Sequence, residues 1–298
     1  MPNGFSTPIW GPPLWRILHT LGAQLSRHHI SATQLAPNTA HTSNVSRGSA
    51  IKRHKRTTPL VSATVAHTIS TWLHTLATIL PCYFCRDSYA EFLKMMQNTH
   101  GPVVDVITRG QLSKWMYDMH ELVNDKLDKQ HATKTLMPML GKMCSAASAV
   151  PITPVQLEMA LAHNDAYRGR RITFECVQKR YVITPISFST QDVWDVLSIF
   201  ALNYPTRPDE NPHSIQKAHD FLVFISLLPT VLRECGMHKL ANHIDTVPFT
   251  DDDVASTTAM FKWVTRLQTP HVLNSDIPQI YARYNLAQAG SCLHGACI

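Results

Sequence analysis

The sequence predicts a mainly α-helical protein in which a four- or five-helix bundle is followed by a second, mostly helical domain. Two observations carry this prediction. Apolar residues recur at helical spacing through much of the first 130 residues, and Pro and Gly interrupt the pattern where helices would end. The composition agrees, since 44% of the 298 residues are hydrophobic and 16% are charged, which suits a folded core and excludes wholesale disorder. No apolar run reaches the length of a membrane span, so we expect no membrane partner.

Four segments carry the helical pattern of the predicted bundle. They are residues 10–25, residues 61–80, a stretch that starts near Cys82, and residues 110–130. Pro12 and Pro13 suit the first turn of the first helix. Pro81 ends the second helix, and Gly101 ends the third. Residues 31–60 are rich in Ser, Thr, Asn and basic residues, which predicts a long basic loop inserted in the bundle.

The chain is predicted to divide into a bundle domain at 1–135, a mostly helical C-terminal domain of unassigned role at 150–284, which we call the second region, and a flexible tail at 285–298. Small and turn-forming residues over 131–153 indicate a linker. Within the second region, helical patterns occur near 154–165, 191–203, 213–234 and 251–268, and residues 171–188 are β-branched and aromatic, as in a small hairpin.

Basic charge is concentrated in the first third of the chain. Residues 1–86 contain eight Lys or Arg and no acidic residue, whereas residues 87–298 carry 19 basic and 21 acidic residues. Much of the excess lies in the run Lys52-Arg53-His54-Lys55-Arg56. A solvated loop explains this run, and contact with an acidic surface or with nucleic acid is the alternative. Because no nucleic-acid-binding motif accompanies the run, we expect no nucleic-acid partner.

The sharpest chemical feature is Cys82-Tyr83-Phe84-Cys85, which follows Pro81 at a predicted helix start. Two cysteines at this spacing can close a disulfide, and a helix N-terminus stabilises a thiolate, so the motif favours redox chemistry. The same spacing also suits half of a zinc site or two buried thiols. Zinc needs a second ligand pair, and the sequence has no second C-x-x-C, so we predict no metal site. A thioredoxin-like fold would need a strand before the motif, where the pattern is helical.

Three motifs together resemble the Erv/ALR family of FAD-linked sulfhydryl oxidases. They are WGPPLWRILHTL at 10–21, PCYFCRDSYAEFL at 81–93 and RGQLSKWMYDMHELVNDKLDK at 109–129. The motifs follow the family's order and cover roughly residues 8–130. Their forms are most similar to those of large double-stranded DNA viruses.

The resemblance implies that FAD is held in the helical bundle beside the C-x-x-C. The implied catalytic pair is Cys82, expected to be the more exposed cysteine that exchanges with clients, and Cys85, which faces the flavin. The implied FAD-binding residues are Gly11, Trp15, His19, Tyr89, Trp115, His120, Val123, Asn124, Lys126 and Lys129. Trp and His offer flat faces to the cofactor rings, and Lys offers charge to the pyrophosphate. Taken singly, each aromatic residue is better explained as a core residue; the joint pattern favours the cofactor.

The chain departs from the family pattern at two positions. Glu121 stands where Asn usually follows the histidine of the HNxVN motif, which removes one expected polar contact to FAD. Tyr117 stands where a structural cysteine often follows the Trp of the last bundle helix. We therefore predict that this structural disulfide is absent.

Cys292 and Cys297 near the C-terminus are predicted to form a second redox pair. Some family members carry a mobile tail pair that accepts electrons from substrate and passes them to the C-x-x-C. A Gly-containing tail suits such a shuttle. The alternative is two ordinary thiols on a frayed end.

The resemblance implies an enzyme that forms disulfides in client proteins and passes electrons from thiols through Cys82–Cys85 to FAD and then to O2, giving H2O2. The expected partners are protein dithiols, O2 and a second copy of the chain. The alternative is a viral structural or interaction protein whose Erv-like domain is non-catalytic or stabilised by zinc. No secretory signal precedes the first motif, so the expected location is the host cytoplasm, a virus factory or the virion, with the mitochondrial intermembrane space as the alternative.

Overall fold

The computed structural model describes residues 7–34, 61–127, 174, 188–268, 292–293 and 296–297. This part of the chain is mainly helical, which confirms the predicted fold class. Its helices are α1 (Thr7–Gln34), α2 (Ala63–Ile79), α3 (Tyr83–His100), α4 (Val103–Thr108), α5 (Leu112–Leu127), α6 (Thr190–Leu202), α7 (Pro212–Glu234), α8 (His238–Asp245) and α9 (Thr257–Gln268). Two short strands, β1 (Cys292–Leu293) and β2 (Ala296–Cys297), pair antiparallel with Cys292 opposite Cys297.

The first helix extends beyond its predicted range of 10–25 at both ends. It begins at Thr7, so Pro8 lies in the first turn, and the prediction that Pro12 and Pro13 occupy that turn is wrong, because both lie inside the helix. It continues to Gln34, so the first residues of the predicted 31–60 loop are helical. The rest of that loop lies outside the described residues, as do the helix near 154–165 and most of the hairpin at 171–188; within that hairpin, Phe174 has helical conformation.

The ends of α2 and α3 follow local signals in the sequence. The Ser62 hydroxyl accepts a hydrogen bond from the backbone of Val65 and caps α2. Gly101, with φ of 84°, ends α3 in a conformation that favours glycine. The six-residue helix α4 follows at once and is not predicted from the sequence, because it is too short to show a periodic pattern.

The helices of the second region pack directly on the bundle. Helix α6 lies against α1 and α9, and α7 lies against α2 and α8. Trp72 of α2 stacks on Phe224 of α7 with ring centroids 4.9 Å apart, and Trp10 meets Phe200 edge to face at 6.1 Å. The buried residues of the two regions form one continuous hydrophobic core.

A half-buried ion pair reinforces this contact. Arg16 of α1 lies 2.5 Å from Asp192 of α6. Asp192 also closes a capping box with Ser189 at the start of α6. The same carboxylate therefore fixes the start of α6 and attaches it to α1.

Helix α7 is the one described helix that is long and apolar enough to cross a membrane by length and composition alone. Core helices of globular domains pass the same test. Its Phe224 packs on Trp72, and Phe221, Leu228 and Leu232 are all buried. These contacts place α7 in the core of the protein.

Candidate active site

The C-x-x-C motif lies at the start of α3. Cys82 is the N-cap residue, and its Sγ accepts a hydrogen bond from the backbone N–H of Cys85 at 3.3 Å. The N–H groups of a first helical turn have no partner within the helix and carry partial positive charge. This position therefore stabilises a thiolate on Cys82.

Local hydrogen bonds lower the pKa of Cys82 from 9.0 to about 7. The largest cause is the hydrogen bond with the side chain of Cys85, and burial acts in the opposite direction. Backbone hydrogen bonds from Cys85 and Phe84 and the positive charge of Arg86 add to the lowering. A thiol with this pKa is substantially ionised at neutral pH, which is the state that exchanges with disulfides.

The exposures of the two cysteines differ from the prediction. Cys82 is 0% exposed, whereas Cys85 is half-buried. The expectation that Cys82 is the more exposed cysteine is therefore wrong. The cap itself is the reason, because the Cys82 sulfur folds back against the first turn of α3 to reach the Cys85 backbone.

A second cluster joins α1 to α5 through three aromatic rings. The indole of Trp15 stacks on the imidazole of His120, with centroids 3.9 Å apart and planes 8° apart. His19 Nε2 lies 3.0 Å from His120 Nδ1, and the Trp15 and His19 rings are 5.6 Å apart. Three residues that the resemblance assigns to the flavin nucleotide are thus brought together.

The two histidines form a buried hydrogen-bonded pair. His19 is 3% exposed and His120 is 6% exposed. Burial lowers the pKa of His19 to about 4, so this ring is neutral at neutral pH. One ring of the pair donates its N–H to the other, and which one donates depends on the tautomer.

Gly22 allows α1 and α5 to approach closely enough for this contact. A Cβ at Gly22 would lie 3.0 Å from Ser113 Cα and 3.2 Å from Ser113 N, both backbone atoms. Ser26 Oγ also accepts a hydrogen bond from Ser113 N at 3.4 Å. Helix α5 packs on α3 as well, so it connects the ring cluster with the helix that carries the cysteines.

Two of the predicted flavin-lining residues are buried in the bundle. Tyr89 donates its hydroxyl to the Leu73 carbonyl at 3.0 Å, which ties α3 to α2, and burial raises the pKa of Tyr89 well above its ordinary value. Trp115 is 1% exposed, and its indole N–H has no hydrogen-bond partner among the described residues.

The remaining predicted residues lie near the ends of α1 and α5. Val123 and Asn124 are half-buried, as is Gly11 at the start of α1. Asn124 Nδ2 donates to Glu121 Oε1 at 3.2 Å, so the residue that departs from the family pattern contacts the motif's own asparagine. The Lys126 side chain and all of Lys129 lie outside the described residues.

The position of the missing structural cysteine is filled by aromatic packing. The ring of Tyr117 lies 5.7 Å from the ring of Phe174. The ammonium of Lys114 lies 5.6 Å from the centroids of both rings. A residue of the second region therefore packs where the resemblance would place a disulfide.

Sequence reasoning missed the contact between the second region and the redox motif. Asn203 of the second region donates from Nδ2 to the carbonyls of Ile79, at 3.2 Å, and Leu80, at 3.4 Å. Arg86 Nη1 donates to the same Leu80 carbonyl at 2.6 Å. Asparagine is common at helix ends, but no local signal links Asn203 to a turn 124 residues earlier.

Residues 12–141 match the model of the Erv1 / Alr family. This region is an Erv1/Alr family domain. The family is known for FAD-linked sulfhydryl oxidase activity, and its members bind FAD. The match covers under half of the chain and leaves out the second region. No match was found among curated proteins or among solved structures.

The ring cluster of the Erv1/Alr domain has the chemistry that a flavin nucleotide needs. Trp15 and His120 are stacked face to face, and half-buried Trp15 leaves part of its indole exposed to a further flat ring. The ring systems of FAD are flat and have polar edges, so they can stack on an exposed indole face. Among the residues that the structure describes, no group of three or more His, Cys, Asp or Glu is placed to hold a metal ion.

Proposed function

We propose that this chain is an FAD-dependent sulfhydryl oxidase that forms disulfide bonds in client proteins. The observation that carries the proposal is Cys82, a helix-capping sulfur with a pKa of about 7, paired with Cys85 inside an Erv1/Alr domain. When bound, FAD accepts the electron pair of the dithiol and delivers it to O2, which gives H2O2.

The two cysteines carry the thiol–disulfide exchange. A client thiolate attacks the Cys82–Cys85 disulfide, one enzyme sulfur leaves as a thiolate, and a mixed disulfide forms. The second client thiolate then breaks the mixed disulfide, so the client leaves oxidised and both enzyme sulfurs are reduced. The low pKa of Cys82 and the half-buried state of Cys85 favour attack on Cys85 with Cys82 as the leaving group, which is the reverse of the order that the resemblance implies. The proposal requires both sulfurs, whichever of the two the client attacks first.

The residues proposed to hold FAD belong to α1, α3 and α5. Trp15, His19 and His120 would contact its rings, because they already form one cluster. Lys126 and Lys129 would neutralise the pyrophosphate. Gly11, Tyr89, Trp115, Val123 and Asn124 would complete the lining.

The tail cysteines are proposed to pass electrons from bulky clients to the C-x-x-C. Cys292 and Cys297 are directly opposite each other in the β1–β2 register. Opposite residues of an antiparallel pair have Cα atoms about 4.5–5.5 Å apart. This separation is in the range that a disulfide needs, which supports their acting as one redox pair.

The proposed partners and location rest on the resemblance. The clients are protein dithiols, and a second copy of the chain completes a homodimer. Because α6 and α7 cover parts of α1 and α2, the second copy would use another face of the bundle. We place the protein in the cytoplasm or virus factory of an infected host, or in the virion, with the mitochondrial intermembrane space as the alternative.

The experiment that tests this function is flavin analysis of the purified full-length protein. We expect a yellow protein with one FAD per chain that consumes O2 when dithiothreitol is added. A colourless protein that binds zinc and leaves dithiothreitol reduced would contradict the proposal and favour a structural protein with a non-catalytic domain.

A further inference from the structure

The turn before Cys82 is held by side chains from outside its own helix. Helix α2 ends at Ile79, and Leu80 and Pro81 lead directly into Cys82. The last carbonyls of a helix have no N–H partner within it, and a buried carbonyl needs one. Whatever binds the Ile79 and Leu80 carbonyls therefore sets the path of the chain into the redox motif.

Asn203 and Arg86 bind these two carbonyls from opposite parts of the sequence. Asn203 Nδ2 reaches Ile79 O at 3.2 Å and Leu80 O at 3.4 Å. Arg86 Nη1 reaches Leu80 O at 2.6 Å. Leu80 O is thus shared by a guanidinium from the redox helix and an amide from the second region.

The backbone of Asn203 is fixed by its own helix. It is the C-cap of α6, and its backbone N–H bonds to the carbonyls of Ile199 and Phe200, each at 3.1 Å. Helix α6 is in turn anchored to α1 through Asp192 and Arg16. The Asn203 amide is therefore presented to the turn by a rigid element.

Helix α7 contacts the same end of α2. Thr78 Oγ1 donates to Asp220 Oδ2 at 2.6 Å, and Gln216 Nε2 donates to Asp220 Oδ1 at 2.8 Å. Half-buried Lys217 interacts electrostatically with Arg86. Two helices of the second region thus reach the turn that carries Cys82.

We propose that Asn203 is a positioning residue of the redox centre, which holds the Ile79–Leu80 carbonyls so that the Cys82 cap and Arg86 keep their places. The inference rests on the proposed function, because it assigns the second region a role in positioning the redox centre of the thiol oxidase. The property that Asn203 is proposed to affect is the ionisation of the reduced Cys82 thiol, which can be measured without FAD or turnover. Loosening the turn would move the Cys82 sulfur away from the Cys85 N–H and would free Arg86 from Leu80.

The test is the pH titration of the Cys82 thiolate in the reduced full-length protein, followed by the ultraviolet absorbance of the thiolate after subtraction of the curve of Cys82→Ser. The wild-type titration should have a midpoint near pH 7. Asn203→Ala should shift the midpoint upward and lower the thiolate fraction at pH 7 by about two- to sevenfold, which is the effect of a loss worth one hydrogen bond on a thiol that is half ionised at that pH. Asn203→Asp should do at least as much, because a carboxylate keeps the shape, lacks the donor and attracts Arg86.

The matched control is Asn242→Ala. Asn242 is an exposed asparagine of α8 whose Oδ1 accepts from Arg233 at 3.1 Å, with no contact to the redox motif among its described hydrogen bonds. The other titratable side chains that interact with Arg86 are unchanged in every variant; they are Tyr83, Cys85, Asp87 and Lys217. The control midpoint should equal that of the wild type.

An unchanged midpoint in folded Asn203→Ala or Asn203→Asp would overturn the proposal, as would an equal shift in Asn242→Ala. If neither Asn203 variant folds, the proposal also fails, because Asn203 would then serve general stability. The measurement requires no flavin and no turnover. A chain that proves inactive as an oxidase therefore refutes the proposed function while leaving this result interpretable.

Discussion

The indole of Trp15 lies flat on the imidazole of His120, with ring centroids 3.9 Å apart and planes 8° apart. The contact joins α1 and α5 at residues that the sequence motifs single out. It shows that the two motif segments meet in one ring cluster. The close approach at Gly22 makes that contact geometrically possible.

Trp15→Ala and His120→Ala should each lower the FAD content of the purified protein. Each substitution removes a ring that we expect to pack on the cofactor, and burial or stacking of one ring is worth on the order of 1–3 kcal/mol. This corresponds to roughly ten- to a hundredfold in affinity. FAD per folded chain is measured by absorbance after gel filtration. His67→Ala, at an exposed site on α2, should keep its flavin, and an equal loss there would point to general unfolding.

The His19 pair should make the flavin-free protein sensitive to acid. The unfolded chain binds a proton at this histidine below about pH 6.5, whereas the folded chain does so only below about 4. The free energy of unfolding should therefore fall as the pH drops from about 6.5 to about 4, by about 3 kcal/mol in all. Urea unfolding across this range measures the fall. His19→Gln should show a smaller fall and His67→Gln the full one; identical curves for all three proteins would mean that His19 is not buried in its neutral form.

Deleting residues 290–298 should slow the oxidation of protein clients but not the oxidation of small thiols. Dithiothreitol can reach the C-x-x-C without help, whereas a bulky client needs the tail pair, whose effective concentration depends on chain length and flexibility. We expect a strong loss of oxidation of a reduced protein client and little change with dithiothreitol. If both substrates slow equally, the tail is structural, and if neither slows, Cys292 and Cys297 carry no electrons.

Single cysteine variants should reveal which sulfur lies beside the flavin. A thiolate next to oxidised flavin gives a broad absorption band at long wavelength. Following the resemblance, Cys82→Ser should gain this band, because Cys85 is left as a thiolate facing the cofactor. Cys85→Ser should lack it. The reverse pattern would show that the buried Cys82 is the sulfur next to the flavin, in line with its lower exposure in the structure.

The sequence predicts the long helices and misses what depends on tertiary contacts. Helices α2, α3 and α5 carry periodic apolar residues, and Pro81 and Gly101 mark where α2 and α3 end, so their positions follow from local chemistry. Helix α4 is too short to show a period. The extension of α1 to Gln34 crosses a polar stretch with no apolar pattern, which is why the sequence favours a loop there.

Some features of the candidate site could likewise be predicted from the sequence, and others depend on tertiary contacts. The spacing of Cys82 and Cys85 indicates redox chemistry, and the resemblance identifies Trp15, His19 and His120. The burial of the Cys82 sulfur is mispredicted, because it depends on how the side chain folds over its own helix. The contact from Asn203 to Leu80 could not be predicted, because it depends on how α6 packs on the bundle.

The most direct measurement of the central claim is H2O2 production from dithiothreitol by FAD-loaded wild type, Cys82→Ser and Cys85→Ser. The matched control is Cys235→Ser, which changes a buried cysteine of the second region. The account predicts one H2O2 per disulfide in the wild type and the control, and loss of turnover with FAD retained in both motif variants. Wild-type rates in Cys82→Ser and Cys85→Ser would contradict it, because the electrons would then reach oxygen without the Cys82–Cys85 pair.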